Sequence, residues 1–289
     1  MTFKQAENEM PLRPIDFPPV PEDTARAAGS LFGKGNIYLR LGEHIQELLY
    51  EMTPVEMEIQ GQRSTQANAL YALLTAFQFG EELTDHQMFE AVRRRVDLKY
   101  ALHLPMNYPR FDPGVLCEFR KEILADSSRQ QTFQGLLDRL ADFGLLKMTQ
   151  EQPLLAVQVL DKVCVSNRLE MVVEAMFQAL ETLAATNSEW LRQVTLPHWY
   201  ERYSRRIQRY FWPNNKGKWE ASALEIGRDI QYLLGEIDKS HLSTLNSLRE
   251  VHLLRQAWEE QFEVTTNDVS HTREVHWRPT WCASCTQDN

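Results

Sequence analysis

Residues that could contact phosphate stand out before any element does. Arg202 to Lys218 (RYSRRIQRYFWPNNKGK) holds Arg202, Arg205, Arg206, Arg209, Lys216 and Lys218 and no acid. On a helix, Arg202, Arg205, Arg206 and Arg209 fall at i, i+3, i+4 and i+7, a single stripe with Tyr203, Ile207 and Tyr210 opposite. Guanidinium groups donate in a planar fork that matches phosphate oxygens, so the stripe is a candidate DNA-backbone contact. The competing reading is a solvated face paired with acids of an acid-rich chain. Arg93, Arg94, Arg95 and Lys99 form a second basic cluster, in VRRRVDLK. His271, His276, Cys282 and Cys285 could make a tetrahedral zinc site, but their spacing matches no standard finger. Accidental cysteines in a polar tail are the competing reading, and no metal or cofactor is expected. Catalytic signatures are missing: no G-x-S-x-G, Walker loop, H-E-x-x-H or dinucleotide glycine fingerprint occurs. Asp161 is isolated, and two-metal chemistry needs carboxylates that converge.

The second cluster must be held by the stretch from Ser64 to Leu104. Ala69, Leu70, Leu73, Leu74 and Phe77 predict one amphipathic helix, started by Ser64 or Thr65 and closed at Gly80. Thr84-Asp85-His86-Gln87 fits a capping box, and Met88, Phe89, Val92 and Val96 give the buried stripe of a helix over 84–100. A helix pair whose second member ends in basic residues fits a helix-turn-helix reader of DNA. Helical hairpins are common in any all-α domain, so shape alone does not decide the matter.

The rest of the chain is mainly helical. Pro11, Pro14, Pro18, Pro19 and Pro21 predict an extended arm over residues 1–30. Helices follow from Asn36 to Tyr50, from Asp112-Pro113, and from a Ser127 or Ser128 cap to Gly144. In Pro153 to Val165, Leu155, Val157 and Val159 alternate with Ala156 and Gln158, which predicts a short strand, with a buried helix as the other reading. Helical periodicity returns over Asn167–Ala185, Pro197–Phe211, Glu220–Ile237 and Leu245–Phe262, and the tail after Thr265 is expected to be irregular. The 289 residues are 43% hydrophobic, enough for a real core, and carry a net charge of −9, which argues against a uniformly basic nucleic-acid coat. With no apolar run of membrane-spanning length, no signal-like N-terminus and only 4 cysteines, the expected setting is soluble and cytoplasmic.

Taken in order, several strings resemble bacterial insertion-sequence transposases of the DDE type with an InsH-like N-terminal domain. They are LYALLTAFQFGEELTDHQMFEAVRRRVDLKYALHL, FDPGVLCEFRKEIL, FQGLLDRLADFGLL, SNRLEMVVEAMFQALETLA, WLRQVTLPHWYERYSRRIQRY, VHLLRQAWEEQF and VHWRP, which run from Leu70 to Pro279 within a resemblance taken to cover about residues 30 to 280. The resemblance implies a helical DNA-binding domain over 31–150, between the 1–30 arm and a 151–265 region matching the start of the catalytic half. Residues 266–289 form the tail, and at most a short strand of an incomplete RNase H-like domain is expected. Such transposases use Asp, Asp and Glu with two divalent metals. Counted back from Asn167-Arg168-Leu169-Glu170, the first Asp falls on Leu155, and leucine cannot bind a hard cation. The chain also stops where the other two acids would follow, and TWCASCTQDN matches nothing in the family. The expectation is a truncated, catalytically inactive chain that binds double-stranded DNA through Arg93, Arg94, Arg95, Lys99, Arg202, Arg205, Arg206 and Arg209. The alternatives are an interaction module acting on itself or on a full-length transposase, and a relic with no present role.

Overall fold

The computed structural model describes residues 17–49, 65–108, 114–146, 155–203, 216–266 and 273–278. Among them lie thirteen helices and one two-stranded sheet, so the chain is mainly α. It divides into two compact units, residues 1–163 and 164–289.

The first unit contains α1 (Glu22–Leu31), α2 (Ile37–Leu49), α3 (Thr65–Glu81), α4 (Asp85–Arg94), α5 (Val96–Ala101), α6 (Gly114–Ala125) and α7 (Ser127–Asp142). It also takes the first turns of α8 (Ala156–Thr186). Inside the expected 1–30 arm a helix, α1, begins directly after Pro21, the last proline of the run, and residues 1–16 lie outside the described residues. No later residue there lacks an N–H, and Glu22 and Asp23 in the first turn complement the helix dipole. Thr24 ties α1 down by donating its hydroxyl to the Leu104 carbonyl at 2.8 Å. At α2, Asn36 accepts from the amides of Tyr38 and Leu39, as a cap should.

The central helix α3 departs from the amphipathic expectation. Besides Ala69, Leu73, Leu74 and Phe77, it buries Asn68, Ala72, Thr75, Ala76 and Gln78, so it is enclosed on nearly every side. Helices α4, α6 and α7 pack against it. Gly80 is not its closing residue: the helix runs to Glu81, and Glu82 takes the left-handed conformation (φ 57°). The Leu83 amide then reaches back to the Gln78 carbonyl at 2.9 Å, which satisfies the helix end. At α7 the cap is Asp126, not Ser127 or Ser128, and it accepts from the amides of Ser128 and Arg129. Gly144 closes that segment with φ 86°.

The expected strand near Leu155 is helix. Ala156, Val159, Leu160 and Val163 are buried at i, i+3, i+4 and i+7, while Leu155 and Val157 are 47% and 50% exposed. The alternation of Leu155, Val157 and Val159 is therefore a coincidence of two exposed residues and one buried one.

The second unit holds the rest of α8, with α9 (Ser188–Val194), α10 (Trp199–Tyr203), α11 (Lys216–Lys239), α12 (Ser243–Asn246) and α13 (Arg249–Gln261). Strands β1 (Phe262–Thr266) and β2 (Arg273–Trp277) pair antiparallel, Phe262 opposite Trp277 and Val264 opposite Val275. The expected irregular tail thus begins with a hairpin, whose sequence EVTT…REVHW does alternate. Its anchor is Arg168 of α8, which donates to Gln261 and to the Arg278 carbonyl and lies over the Trp277 ring at 4.4 Å. Phe262 fills the space above Gly227 of α11, where a Cβ would come within 2.4 Å of the ring. Gly227→Ala must displace a buried ring and is expected to cost about 1–3 kcal/mol, read as a lowered thermal midpoint. An unchanged midpoint would show that the ring moves freely. No helix among the described residues is long and apolar enough to cross a membrane.

Candidate nucleic-acid interface

The α3–α4 hairpin is built as its local chemistry dictates. Thr84 caps α4: its hydroxyl accepts from the Gln87 amide at 3.3 Å, and Gln87 Oε1 accepts from the Thr84 amide at 2.7 Å. Met88, Phe89 and Val92 are buried beneath it. Asp85, in the first turn, accepts from Gln78 Nε2 at 2.7 Å and receives both guanidinium nitrogens of Arg120 at 2.8 and 2.6 Å. Arg120 is 1% exposed, so this bidentate pair fixes the angle at which α4 leaves α3 and α6.

The basic residues divide sharply at the end of α4. Arg93 and Arg94 lie on the surface, and both reach the same carboxylate, Glu90 Oε2, at 3.3 and 2.8 Å. Arg95 is not part of a continuous helix. Its backbone is extended (φ −94°, ψ 118°), so the expected 84–100 helix is two helices meeting there. Its guanidinium grips Asp97 with two bonds, at 3.1 and 2.8 Å, pairs with Glu81, and lies over the Tyr38 ring at 5.0 Å. Burial works against the charged form of Arg95, but Asp97 and Glu81 more than offset it and raise its pKa above the ordinary arginine value. Burial, with Glu81 nearby, likewise pushes the Tyr38 phenol up.

Lys99 is a correction to the sequence reading. It is 5% exposed, and its ammonium donates inward to the Met106 carbonyl at 2.5 Å. Burial lowers its pKa, and the nearby Asp23 charge only partly opposes this. A side chain so placed holds the turn after α5 together and does not present its charge to a polyanion.

Of the Arg202–Arg209 stripe, Arg202 is described, while Arg205, Arg206 and Arg209 lie outside the described residues. Arg202, on α10, pairs with Asp229 and donates to Glu225 at 2.7 Å, both on α11. Asp229 is the centre of a network that sequence reasoning missed. His198 Nε2 lies 3.1 Å from Oδ1, and the Tyr203 hydroxyl donates to Oδ2 at 2.8 Å. Burial alone would raise the Asp229 pKa, yet these bonds and that of Arg202 hold it below the usual carboxylate range. Its partners are 26 to 31 residues away in sequence, so no local pattern announces them.

Among the described residues no three His, Cys, Asp or Glu side chains form a group that could hold a metal ion. His276 sits on β2, 3.9 Å from Glu274, whereas His271, Cys282 and Cys285 lie outside the described residues. Two arginines at the end of a well-capped helix are therefore what the structure offers a phosphate among the described candidates. Neither protein-family models, nor curated proteins, nor solved structures yield a match to this chain.

Proposed function

We propose that the chain is a transposase-like, double-stranded-DNA-binding protein that meets the DNA backbone through the C-terminal turn of α4. The observation that carries this reading is the placement of Arg93 and Arg94. They project from the last turn of a helix fixed by a capping box and by the Asp85–Arg120 pair, a rigid mount for two forked donors. The ordered resemblance to InsH-like transposases supports the same reading. Leu155 stands where that family has its first metal-binding Asp, so the proposed role is binding without strand cleavage, with no metal or other cofactor.

Fluorescence anisotropy on duplex DNA, titrated from low to physiological salt, tests this. The log of the binding constant should fall linearly with log salt. Arg93→Ala with Arg94→Ala should flatten that slope by as much as about 1.8, two phosphate contacts at roughly 0.9 each. Equal slopes for the two proteins would remove these residues from the interface.

A second reading has its own support. Arg95 and Arg202 are held by the chain's own acids and Lys99 is buried, which favours a helical module that recognises protein, either another copy or a full-length transposase. On that reading, heparin leaves partner capture unchanged. On the DNA-binding reading, heparin competes directly.

A further inference from the structure

Each arginine of the Arg93–Arg95 run is met by a carboxylate of the first unit. Arg95 is enclosed by Asp97 and Glu81, and Tyr38 covers its face, so it is a fixed part of the fold. Arg93 and Arg94 differ because one group, Glu90, serves both. Glu90 lies three and four residues before them on α4, and its side chain is 23% exposed, deeper than either arginine at 43% and 70%. Its Oε2 lies within ion-pair distance of both guanidinium groups, at 3.3 and 2.8 Å.

We infer that Glu90 is an internal phosphate mimic: it holds Arg93 and Arg94 in the unbound protein and must be displaced for them to grip DNA. The inference rests on the DNA-binding reading and concerns the regulation of that same site. Ion pairs at i,i+3 and i,i+4 are weak, and Glu90 Oε2, though within 3.3 and 2.8 Å of the two guanidinium groups, is buried and accepts no well-aligned hydrogen bond from either, so a DNA phosphate can win the exchange. The displaced carboxylate recovers a counterion as the phosphates release theirs. One net charge is lost from the interface, and non-sequence-specific affinity stays low.

Glu90→Gln keeps the shape of the side chain and removes its charge. Anisotropy on duplex DNA would compare the wild type, Glu90→Gln, and Glu90→Gln combined with Arg93→Ala and Arg94→Ala. Helical circular dichroism would check the fold, and Glu90→Ala would serve as a second uncharged variant. The expected result is about fivefold tighter binding at low salt for Glu90→Gln and a slope steeper by about 1. Both gains should vanish in the triple variant and reappear in Glu90→Ala. If the wild type binds and the uncharged variants match it in affinity and slope, the inference is overturned and the DNA-binding reading stands. Failure of all three proteins to bind at low salt would overturn both.

Discussion

Replacing Asp85 by Ala is expected to cost the first unit about 3–5 kcal/mol, among the largest effects available from one substitution. Arg120 is 1% exposed and its guanidinium spans both Asp85 oxygens at 2.8 and 2.6 Å. Without Asp85 the buried, ionised guanidinium loses its bidentate carboxylate, while the neutral Gln78 Oε1 stays at 3.2 Å. Arginine does not shed its proton to escape that penalty. Hydrogen exchange of core amides in α3 and α4 reads the loss locally, and urea denaturation reads it globally. The mechanism carries its own control. Asp85→Leu with Arg120→Met removes both charges and fills the space with apolar volume, and should recover most of the stability, because a buried pair often breaks even against hydrophobic replacements. If Asp85→Ala costs under about 1 kcal/mol, water reaches Arg120 and the pair is not buried as described. Intact folding with weakened DNA binding in the double variant would show that the pair sets the angle of α4.

How much of this was legible in the sequence depends on the range of the interaction concerned. The capping box at Thr84 needs only residues 84 to 87, and its chemistry is visible there. The helices over 37–49 and 127–142, and the break at Asn187, likewise follow from local periodicity and caps. Failures arose where tertiary packing chose between two locally acceptable readings. Leu155, Val157 and Val159 alternate, yet burial of Ala156, Leu160 and Val163 selects the helix. Thr65–Glu81 carries a stripe of apolar residues, but small residues such as Ala72, Thr75 and Ala76 let neighbours close over its other faces too. The hairpin after Gln261 was missed because its strands are only five residues each and its anchor, Arg168, lies far back on α8.

The candidate site shows the same division. A run of basic residues is visible as composition, whereas which charges face solvent is a property of the fold. Lys99 turns inward to a carbonyl seven residues ahead, and Arg95 meets Glu81, fourteen residues back, only because α3 and α4 fold into a hairpin. Glu90 could have been found, since acids at i−3 and i−4 from Arg93 and Arg94 are a local signal. Asp229 could not have been.

Asp229→Asn is expected to destabilise the second unit by about 2–4 kcal/mol and to flatten its acid-denaturation limb. Asp229 is 7% exposed on its side chain and accepts from Arg202 and Tyr203 on α10 and contacts His198 just before it. An asparagine offers one acceptor oxygen and no charge, so the charge-assisted bond from Arg202 is weakened, and its NH2 can meet His198 Nε2 only when that nitrogen is the unprotonated acceptor. The loss should loosen α10 from α11 first, because Asp229 makes the buried polar contacts between them, beside a more exposed Arg202–Glu225 bond and the edge-on packing of Trp199 on Tyr232. Trp199, buried beside Tyr203 with ring centroids 6.1 Å apart, gives a fluorescence signal for that loosening. The pH dependence follows from the lowered carboxyl pKa. Between the folded value and the unfolded value, near 3.9, the unfolded chain binds the extra proton, so stability rises with pH. The contribution is complete above about pH 4 and lost as pH falls through the folded value. Wild-type protein should therefore lose second-unit stability steeply below pH 4. In Asp229→Asn that slope should be shallower by up to one proton, from a lower starting stability. If the two acid limbs run parallel, Asp229 is not the carboxylate that locks α10, and the network around it is a consequence of packing rather than its cause.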